Sequence, residues 1–181
     1  MIIFFGPAGS GKSLQGQILA ARQGWQWLSS GQILRESNDD ELHEIMQTGK
    51  LVSNEKMEEV IGGALDKIET KEKLILDGYP RQIDQAKWMV EKGYIKGNTK
   101  DSIVIVEVPK EVLVARFANR GRADDTPESI ENRLRIYDEE SSKIFDYLAE
   151  QGVKEIRIDG SGKVGQIHDS LMEELSTCKL V

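Results

Sequence analysis

Residues 6–13 have the types and the spacing needed to hold a chain of phosphate groups. They read GPAGSGKS, which matches the P-loop pattern G-x-x-x-x-G-K-[ST]. The glycines of this pattern let successive backbone N–H groups point at one anion, at the positive end of the helix that follows. The Lys12 ammonium is expected to reach the β- and γ-phosphates, and the Ser13 hydroxyl is placed to ligate Mg²⁺. The pattern therefore predicts nucleotide binding; the alternative is a glycine-rich turn without a ligand.

A second motif, residues 76–81, reads LDGYPR and ends an apolar run. An acidic residue that ends a buried strand beside a P-loop is placed to hold Mg²⁺, and we expect Asp77 to do so through a water molecule. Gly78 and Pro80 are expected to form a turn that carries Arg81 toward the same edge of the sheet. An ordinary strand-ending turn is the alternative interpretation.

A set of arginines could stabilise the charge of a phosphoryl group during transfer. Guanidinium groups make bidentate contacts with phosphate oxygens, and the transfer spreads negative charge over several of those oxygens. The set comprises Arg35, Arg81, Arg116, Arg120, Arg122 and Arg133. These segments contain no Ser–His–Asp or Cys–His arrangement, so the predicted chemistry is positioning and electrostatic stabilisation rather than covalent catalysis.

Composition excludes several classes of protein. The 181 residues suit one domain, and 39% hydrophobic with 30% charged residues is a globular composition. A net charge of −7 argues against a broad nucleic-acid-binding surface. The single Cys178 excludes an intramolecular disulfide and an all-cysteine zinc site. No targeting segment or long apolar run is visible ahead of the first strand, so we predict a cytoplasmic protein without a membrane segment.

The elements that must position these residues alternate between short apolar runs and helical patterns. Strands are predicted at 2–5, 25–28, 74–76, 103–108 and 155–158, and helices at 12–22, 31–37, 40–48, 55–70, 82–92, 110–120, 127–150 and 164–177. Such alternation predicts a three-layer α/β/α fold of the P-loop NTPase class, with a five-stranded parallel sheet whose carboxyl edge binds the ligand.

Two segments are predicted to be insertions into a single domain. Residues 29–60, called the flap here, have short polar helices and few apolar residues, and residues 121–126 form a charged connector. The predicted core is then 1–28, 61–120 and 127–181. Both insertions are candidate moving parts, because lids have few buried contacts. His43 and His168 have no acids at ligand spacing and are predicted to lie at the surface.

Together these motifs resemble those of adenylate kinases and related nucleoside monophosphate kinases. The matching segments follow the family's order over nearly the whole chain: residues 6–15, 30–35, 49–53, 76–81 with Gln85, 116–122, 124–125, 133 and 158–160. The resemblance implies a short-lid enzyme that transfers a phosphoryl group reversibly from MgATP to AMP and yields two ADP. The flap would then bind the monophosphate, and residues 121–126 would be the lid.

The resemblance also assigns roles to individual residues. For ATP it implies Gly6, Pro7, Ala8, Gly9, Ser10, Gly11, Lys12, Ser13, Leu14, Arg116, Arg120, Gly160, Gly162 and Val164. For AMP it implies Ser30, Gly31, Arg35, Lys50, Leu51, Val52, Gly78, Tyr79, Arg81, Gln85, Arg122 and Arg133. Lys12, Arg81, Arg116, Arg120, Arg122 and Arg133 would be catalytic, and Asp124 and Asp125 would orient the arginines when the lid closes.

The chain also departs from the family pattern. Ser13 stands where the family has glycine, Leu14 where it has the magnesium hydroxyl, and the lid is too short to carry zinc. The expected cofactor is Mg²⁺ at Ser13 and Asp77, the expected partners are ATP, AMP and ADP, and a monomer is expected. A UMP/CMP kinase is the alternative within the class, although Gln85 favours adenine. A non-catalytic adenine-nucleotide-binding regulator is the alternative outside it, and the acidic balance disfavours a nucleic-acid-binding NTPase.

Overall fold

A computed structural model describes residues 1–97 and 101–181, with residues 118–120 described by their backbone alone. Strands and helices alternate along these residues. The strands are β1 (Ile2–Phe5), β2 (Gln26–Ser29), β3 (Leu74–Asp77), β4 (Ser102–Glu107) and β5 (Lys154–Asp159). The helices are α1 (Lys12–Gln23), α2 (Ser30–Glu36), α3 (Asp40–Thr48), α4 (Asn54–Asp66), α5 (Ile83–Glu91), α6 (Lys110–Arg120), α7 (Pro127–Glu150) and α8 (Val164–Thr177), with a 3₁₀ turn at Lys71–Lys73.

The five strands form one parallel sheet in the order β2-β3-β1-β4-β5. The chain order reverses at β1, which pairs with β3 on one side and β4 on the other. Phe4 of β1 is in register with Asp77 of β3, so the P-loop and Asp77 leave the sheet at one carboxyl edge. Ligands of open parallel sheets bind in the crevice at such a reversal. The predicted α/β fold with five parallel strands is confirmed.

The sheet is buried on both faces, which explains why β1 is a continuous apolar run. Ile3 and Phe5 belong to the larger core cluster, which α2, α3, α4, α5 and α7 complete. Ile2 and Phe4 belong to the other cluster, which α1 and α8 complete. A strand covered by helices on both sides needs apolar side chains at every position rather than at alternate ones. The three layers follow directly from this pattern.

The flap is anchored to the larger core cluster. Leu34, Leu42, Val52 and Met57 of the flap are all buried in that cluster. The helix predicted at 55–70 ends at Asp66, because the Ile68 N–H bonds the Leu65 carbonyl three residues back and tightens the last turn. The division of the chain into core, flap and lid stays a prediction, and α4 runs through residue 60 without interruption.

His168 is buried, so the prediction that it lies at the surface is wrong. It is 3% exposed on the inner face of α8, and its Nδ1 lies 3.0 Å from the Gln15 Oε1 of α1. The prediction failed because it looked for acidic partners, whereas the partner is an amide. His43 is partly buried on α3. None of the helices in the described part of the chain has the length and apolarity to cross a membrane.

Candidate active site

The P-loop joins β1 to α1 in a conformation that only glycine permits at Gly6. Its φ is +147°, and a Cβ there would lie 2.7 Å from the Val106 carbonyl oxygen and 2.7 Å from the Ser10 Oγ. Gly11 occupies the N-cap of α1 and has no side chain to cap it, so the N–H groups of the first turn face the loop interior. The sequence thus builds an anion site from backbone groups at a helix N-terminus.

One cleft brings together nearly all of the residues predicted for AMP and four of those predicted for ATP. The predicted residues that line it are Gly6, Ala8, Lys12, Ser13, Ser30, Gly31, Arg35, Lys50, Leu51, Val52, Asp77, Gly78, Arg81, Gln85, Arg122, Asp124 and Arg133. They come from the P-loop, the flap, the turn after β3, the lid and α7. Cations from the flap, the β3 turn and α7 therefore share one cavity with the P-loop lysine.

Side chains predicted for AMP tie the turn after β3 to the flap. The Ser30 Oγ donates to the Gly78 carbonyl (2.6 Å), and the Arg81 Nε donates to the same oxygen (2.8 Å). The Gln85 Oε1 accepts from the Arg81 backbone N–H (2.8 Å), and its Nε2 donates to the Asn54 Oδ1 (3.0 Å). These contacts fix the position of Arg81 and the orientation of the Gln85 amide. Their predicted roles in binding AMP stay predictions.

Asp77 ends β3 with a buried carboxylate that suits a cation. The residue is 2% exposed, and its Oδ1 has no hydrogen-bond partner among the described residues. It lines the cleft together with Ser13 and Lys12. A buried charged oxygen without a donor is costly, and a hydrated divalent cation would relieve that cost. The donor set therefore fits Mg²⁺, and no group of three or more His, Cys, Asp or Glu side chains within residues 1–97 and 101–181 is placed for another metal.

Two lid aspartates hold Arg133 of α7. Its Nη2 lies 2.6 Å from the Asp124 Oδ2, and its Nη1 lies 3.3 Å from the Asp125 Oδ1. Burial opposes ionisation of Asp124, but the hydrogen bond and charge of Arg133, with the charge of Arg35, hold the pKa of its carboxyl below the usual value. The aspartates thus point Arg133 into the cleft as a charged, oriented group.

Positive charge is concentrated around Arg81. The surrounding walls desolvate its guanidinium, and this desolvation, followed by the charges of Arg133 and Arg35, lowers the pKa of Arg81, although water in the open cleft still contacts the side chain. Asp77 acts in the opposite direction. Mutual repulsion of this kind is relieved when an anion binds between the cations.

Arg116 lies outside the group that lines the cleft. It donates to the Ser10 carbonyl (3.1 Å) and to the Gly160 carbonyl (2.7 Å), and so ties the P-loop to the loop after β5. Gly160 is closely packed, since a Cβ there would lie 2.5 Å from the Val106 Cγ1. Nearby, the Gln15 Nε2 donates to the Val164 carbonyl (3.0 Å). The predicted ATP residues of this loop therefore lie beside the P-loop, at a distance from the AMP residues.

Other predicted residues lie elsewhere. Tyr79 is 1% exposed, and its ring packs edge-on against Trp88. Leu14 and Val164 are exposed, at 44% and 45%. Pro7, Gly9, Ser10 and Gly11 complete the P-loop, and Gly162 lies in the loop before α8. The Arg120 side chain is outside the described residues.

Sequence reasoning missed the part of α7 that lines the cleft after Arg133. Ile136, Tyr137, Glu140 and Ser141 all face it. Burial raises the pKa of Tyr137 to about 12, so its phenol is neutral and can donate a hydrogen bond. A signal was available, because these positions follow Arg133 at the spacing of three and four residues that defines one helix face.

Comparisons with known proteins agree with this geometry. The family model described as "Adenylate kinase" matches residues 4–153. A protein of Prochlorococcus marinus named "Adenylate kinase" is 33% identical over 181 residues, which cover 97% of this chain and 98% of that protein. One of Mycobacteroides abscessus with the same name is 32% identical over 172 residues, covering 92% and 93%. "Adenylate kinase 1" of Nostoc sp. is 31% identical over 182 residues, covering 97% and 98%.

The matched region contains the P-loop from residue 4 onward, the whole flap, the turn after β3, the lid and Arg133. The relatives match almost end to end, so the likeness extends to the loop after β5 as well. A P-loop alone is common to many classes of protein, whereas this order of segments around one cleft is not. The chain belongs to the adenylate kinase family.

Proposed function

We propose that this protein catalyses the reversible reaction MgATP + AMP ⇌ 2 ADP by direct transfer between two bound nucleotides. The observation that carries the proposal is the pair of facing anion sites in one cleft. The P-loop with Lys12 forms one, and Arg35, Arg81 and Arg133 line the other. A protein that only bound ATP would have no need of the second site. In-line transfer needs the acceptor phosphate to face the donor phosphate, and this arrangement supports such a geometry.

On the donor side, the backbone N–H groups of the P-loop and the Lys12 ammonium would hold the phosphates of ATP. The Lys12 Nζ lies 3.3 Å from the Pro7 carbonyl, a contact that keeps the ammonium folded over the loop. As the phosphoryl group moves, charge builds on its outer oxygens, and a fixed cation at hydrogen-bond distance lowers the barrier. The loop after β5, tied to the P-loop by Arg116, would hold the base.

On the acceptor side, Arg35 and Arg81 would bind the phosphate of AMP, and Gln85 with Ser30 would orient its base. The fixed orientation of the Arg81 guanidinium supports this role, because the Gly78 carbonyl and the neighbouring Gln85 amide hold that turn in place. Arg122 and Arg133 would neutralise charge on the group in transit. Closure of the flap and the lid would exclude water, which separates transfer to AMP from hydrolysis.

We also propose that Mg²⁺ accompanies ATP, with Asp77 and Ser13 as the residues that would hold it. The ion would neutralise charge on the phosphate oxygens of ATP. The buried Oδ1 of Asp77, which has no hydrogen-bond partner within the described part of the chain, supports this assignment. The same proposal includes a cytoplasmic monomer whose partners are ATP, AMP and ADP. Size-exclusion chromatography with light scattering tests the oligomeric state.

The test is a coupled assay of ADP production with ATP fixed and the acceptor varied among AMP, dCMP, CMP, UMP and GMP. We expect AMP to give the highest kcat/KM by at least tenfold, because the family resemblance assigns the Gln85 amide to the adenine base. Preference for CMP or UMP would identify a pyrimidine nucleotide kinase instead. Tight binding of AMP and ATP with negligible turnover by folded protein would identify a regulator and overturn the proposal.

A further inference from the structure

The C-terminal end of α3 in the flap lies directly on the first turns of α7. Three consecutive carbonyls at that end accept hydrogen bonds from side chains of the lid and α7: Met46 from Arg133 (3.0 Å), Gln47 from Thr126 (3.4 Å) and Thr48 from Asn132 (2.9 Å). The last carbonyls of an α-helix have no partner within the helix and carry the negative end of its dipole. The Met46 carbonyl also accepts from the capping Gly49 N–H (3.1 Å), whereas side chains of the lid and α7 satisfy the Gln47 and Thr48 carbonyls, which would otherwise need water.

Gly49 shows how closely the two segments approach. It caps α3 with φ +69°, and a Cβ there would lie 2.4 Å from the Ser129 carbonyl oxygen and 2.7 Å from the Ser129 Cα. The backbone of the flap thus touches the backbone of α7 with no side chain between them. We call the three hydrogen bonds and this backbone approach the α3–α7 contact.

The α3–α7 contact lies at the wall of the cleft. Met46, Gly49 and Lys50 line the cleft on the flap side, and Arg133 lines it on the α7 side. A flap that moved away from α7 would lose the three carbonyl hydrogen bonds and separate these walls. The contact therefore favours the closed position of the flap.

We propose that Asn132 and Thr126 are positioning residues for AMP, which act by holding the flap closed against α7. The three hydrogen bonds join the flap to α7 and to Thr126 at its N-cap, so the flap closes on this helix. This inference rests on the proposed function, because it assigns AMP to the flap side.

Asn132 is the residue at which the α3–α7 contact can be tested most selectively. Arg133 and Asp124 are in the binding machinery, whereas the Asn132 amide contacts a backbone carbonyl of the flap. Asn132→Asp keeps the shape but replaces the donor by a carboxylate that faces the negative end of α3. Asn132→Ala removes the donor alone, and Asn132→Lys supplies a cationic donor that suits a helix C-terminus. Glu131→Ala, at an exposed position one residue earlier, is the matched control.

We expect Asn132→Asp to raise the KM for AMP about tenfold and Asn132→Ala about threefold to fivefold, as loss of one hydrogen bond implies. The KM for ATP should stay within about twofold in both variants, and Asn132→Lys and Glu131→Ala should match the wild type. Equal changes in both KM values, or unchanged KM values with only a lower Tm, would show a merely structural role and overturn the inference.

Two glycines provide a second matched pair. Gly24 and Gly49 both cap helices with positive φ, at +64° and +69°, but nothing lies within 4 Å of a Cβ at Gly24. Alanine at either position therefore has the same backbone strain, and only Gly49→Ala also clashes with α7. We expect Gly49→Ala to raise the KM for AMP. We expect Gly24→Ala to lower stability and to leave the KM for AMP unchanged. The same KM for AMP in both variants would contradict the inference.

Hydrogen exchange without nucleotide separates this inference from the proposed function. If wild-type protein makes no ADP from AMP, the proposed function fails, but the contact can still be measured. Backbone amides of α3 should exchange faster in Asn132→Asp than in Glu131→Ala, because loss of the contact lets the flap open. Identical exchange of α3 in the two variants would overturn the α3–α7 contact whatever the enzyme's activity.

Discussion

The two sides of the cleft are built in different ways. The donor side is backbone held by core packing: the P-loop follows β1, whose Ile2, Ile3 and Phe4 are at most 1% exposed, and Gly6 touches the Val106 carbonyl of β4. The acceptor side is held by side chains. Those of Arg133, Asn132 and Thr126 donate hydrogen bonds to carbonyls at the C-terminal end of α3. One side is part of the sheet, whereas the other combines buried apolar residues of the flap, such as Leu42 and Met57, with individual hydrogen bonds between α3 and α7.

This difference decides which side can move. A surface hydrogen bond contributes about 0.5–1.5 kcal/mol net, so the few bonds of the α3–α7 contact can break at moderate cost. Displacing the P-loop would instead disturb the central strand, and burying one large apolar side chain contributes about 1.5–3 kcal/mol. We therefore expect the phosphates of ATP to meet a fixed site and AMP to meet a site that closes around it.

The largest expected effect is the loss of activity in Lys12→Met, which removes the only side-chain cation that the P-loop itself provides between residues 6 and 13. We expect kcat for ADP formation to fall by about 10²–10³-fold or more, because a preorganised charge at the reacting phosphate is lost. The Tm should stay within a few degrees of wild type. Activity that survived in the folded variant would show that the P-loop is not the donor site.

The next effect is on stability and tests the rigidity of the donor side. Gly6→Ala should lower the free energy of unfolding by about 2–4 kcal/mol, because its Cβ would meet the Val106 carbonyl at 2.7 Å and φ is +147°. Urea unfolding followed by circular dichroism measures the change. Gly63→Ala on α4, where nothing lies within 4 Å, is the control and should be neutral or stabilising. Equal stability of the two variants would mean that the P-loop backbone can shift to accommodate the added methyl group.

The P-loop could be recognised from the sequence, whereas the α3–α7 contact could not, for a physical reason. The P-loop is local in sequence, so its glycines and Lys12 show the site before the chain is folded. The elements were predicted within a few residues because apolar runs and helical spacing are also local signals. The α3–α7 contact involves carbonyl groups, which every residue has, and no residue type announces it. The inward ring of Tyr79 and the burial of His168 depend on which neighbours the fold supplies.

An intermediate effect is expected at the salt bridge of the acceptor side. Asp124→Asn weakens the bond that orients Arg133, which we expect to cost about 1–3 kcal/mol of stability at pH 7 and to raise the KM for AMP. Folding lowers the pKa of Asp124 from 3.8. The stabilising effect of the carboxylate is therefore present above pH 3.8 and is lost as pH falls through the lower pKa of the folded protein. The stability gap between wild type and variant should therefore hold from pH 8 to pH 5 and narrow only below about pH 4. A gap independent of pH down to acid unfolding would contradict this account.

The smallest effect is expected at the contact between Gln15 and His168, which supports the donor side. The His168 imidazole titrates at a higher pH than the Asp124 carboxyl. The Gln15 amide donates to the Val164 carbonyl, so its Oε1 must accept, and His168 must carry a proton on Nδ1. Burial, followed by the charge of Arg22 on α1, lowers the pKa of His168 from 6.5, and Asp169 on α8 opposes this. The stabilising effect is therefore complete above pH 6.5 and is lost as pH falls through the lower native pKa. His168→Leu removes the titration and the hydrogen bond, at about 0.5–1.5 kcal/mol near pH 8.

We expect the Tm difference between wild type and His168→Leu, measured by differential scanning calorimetry, to shrink between pH 8 and pH 5. Over the same range the difference between wild type and Asp124→Asn should stay constant, because that carboxyl titrates only in acid. The stabilising contact on the donor side would then be lost at a higher pH than the one on the acceptor side. Parallel Tm curves for wild type and His168→Leu would show that protonation of His168 has no effect on stability in this range, and would contradict this expectation.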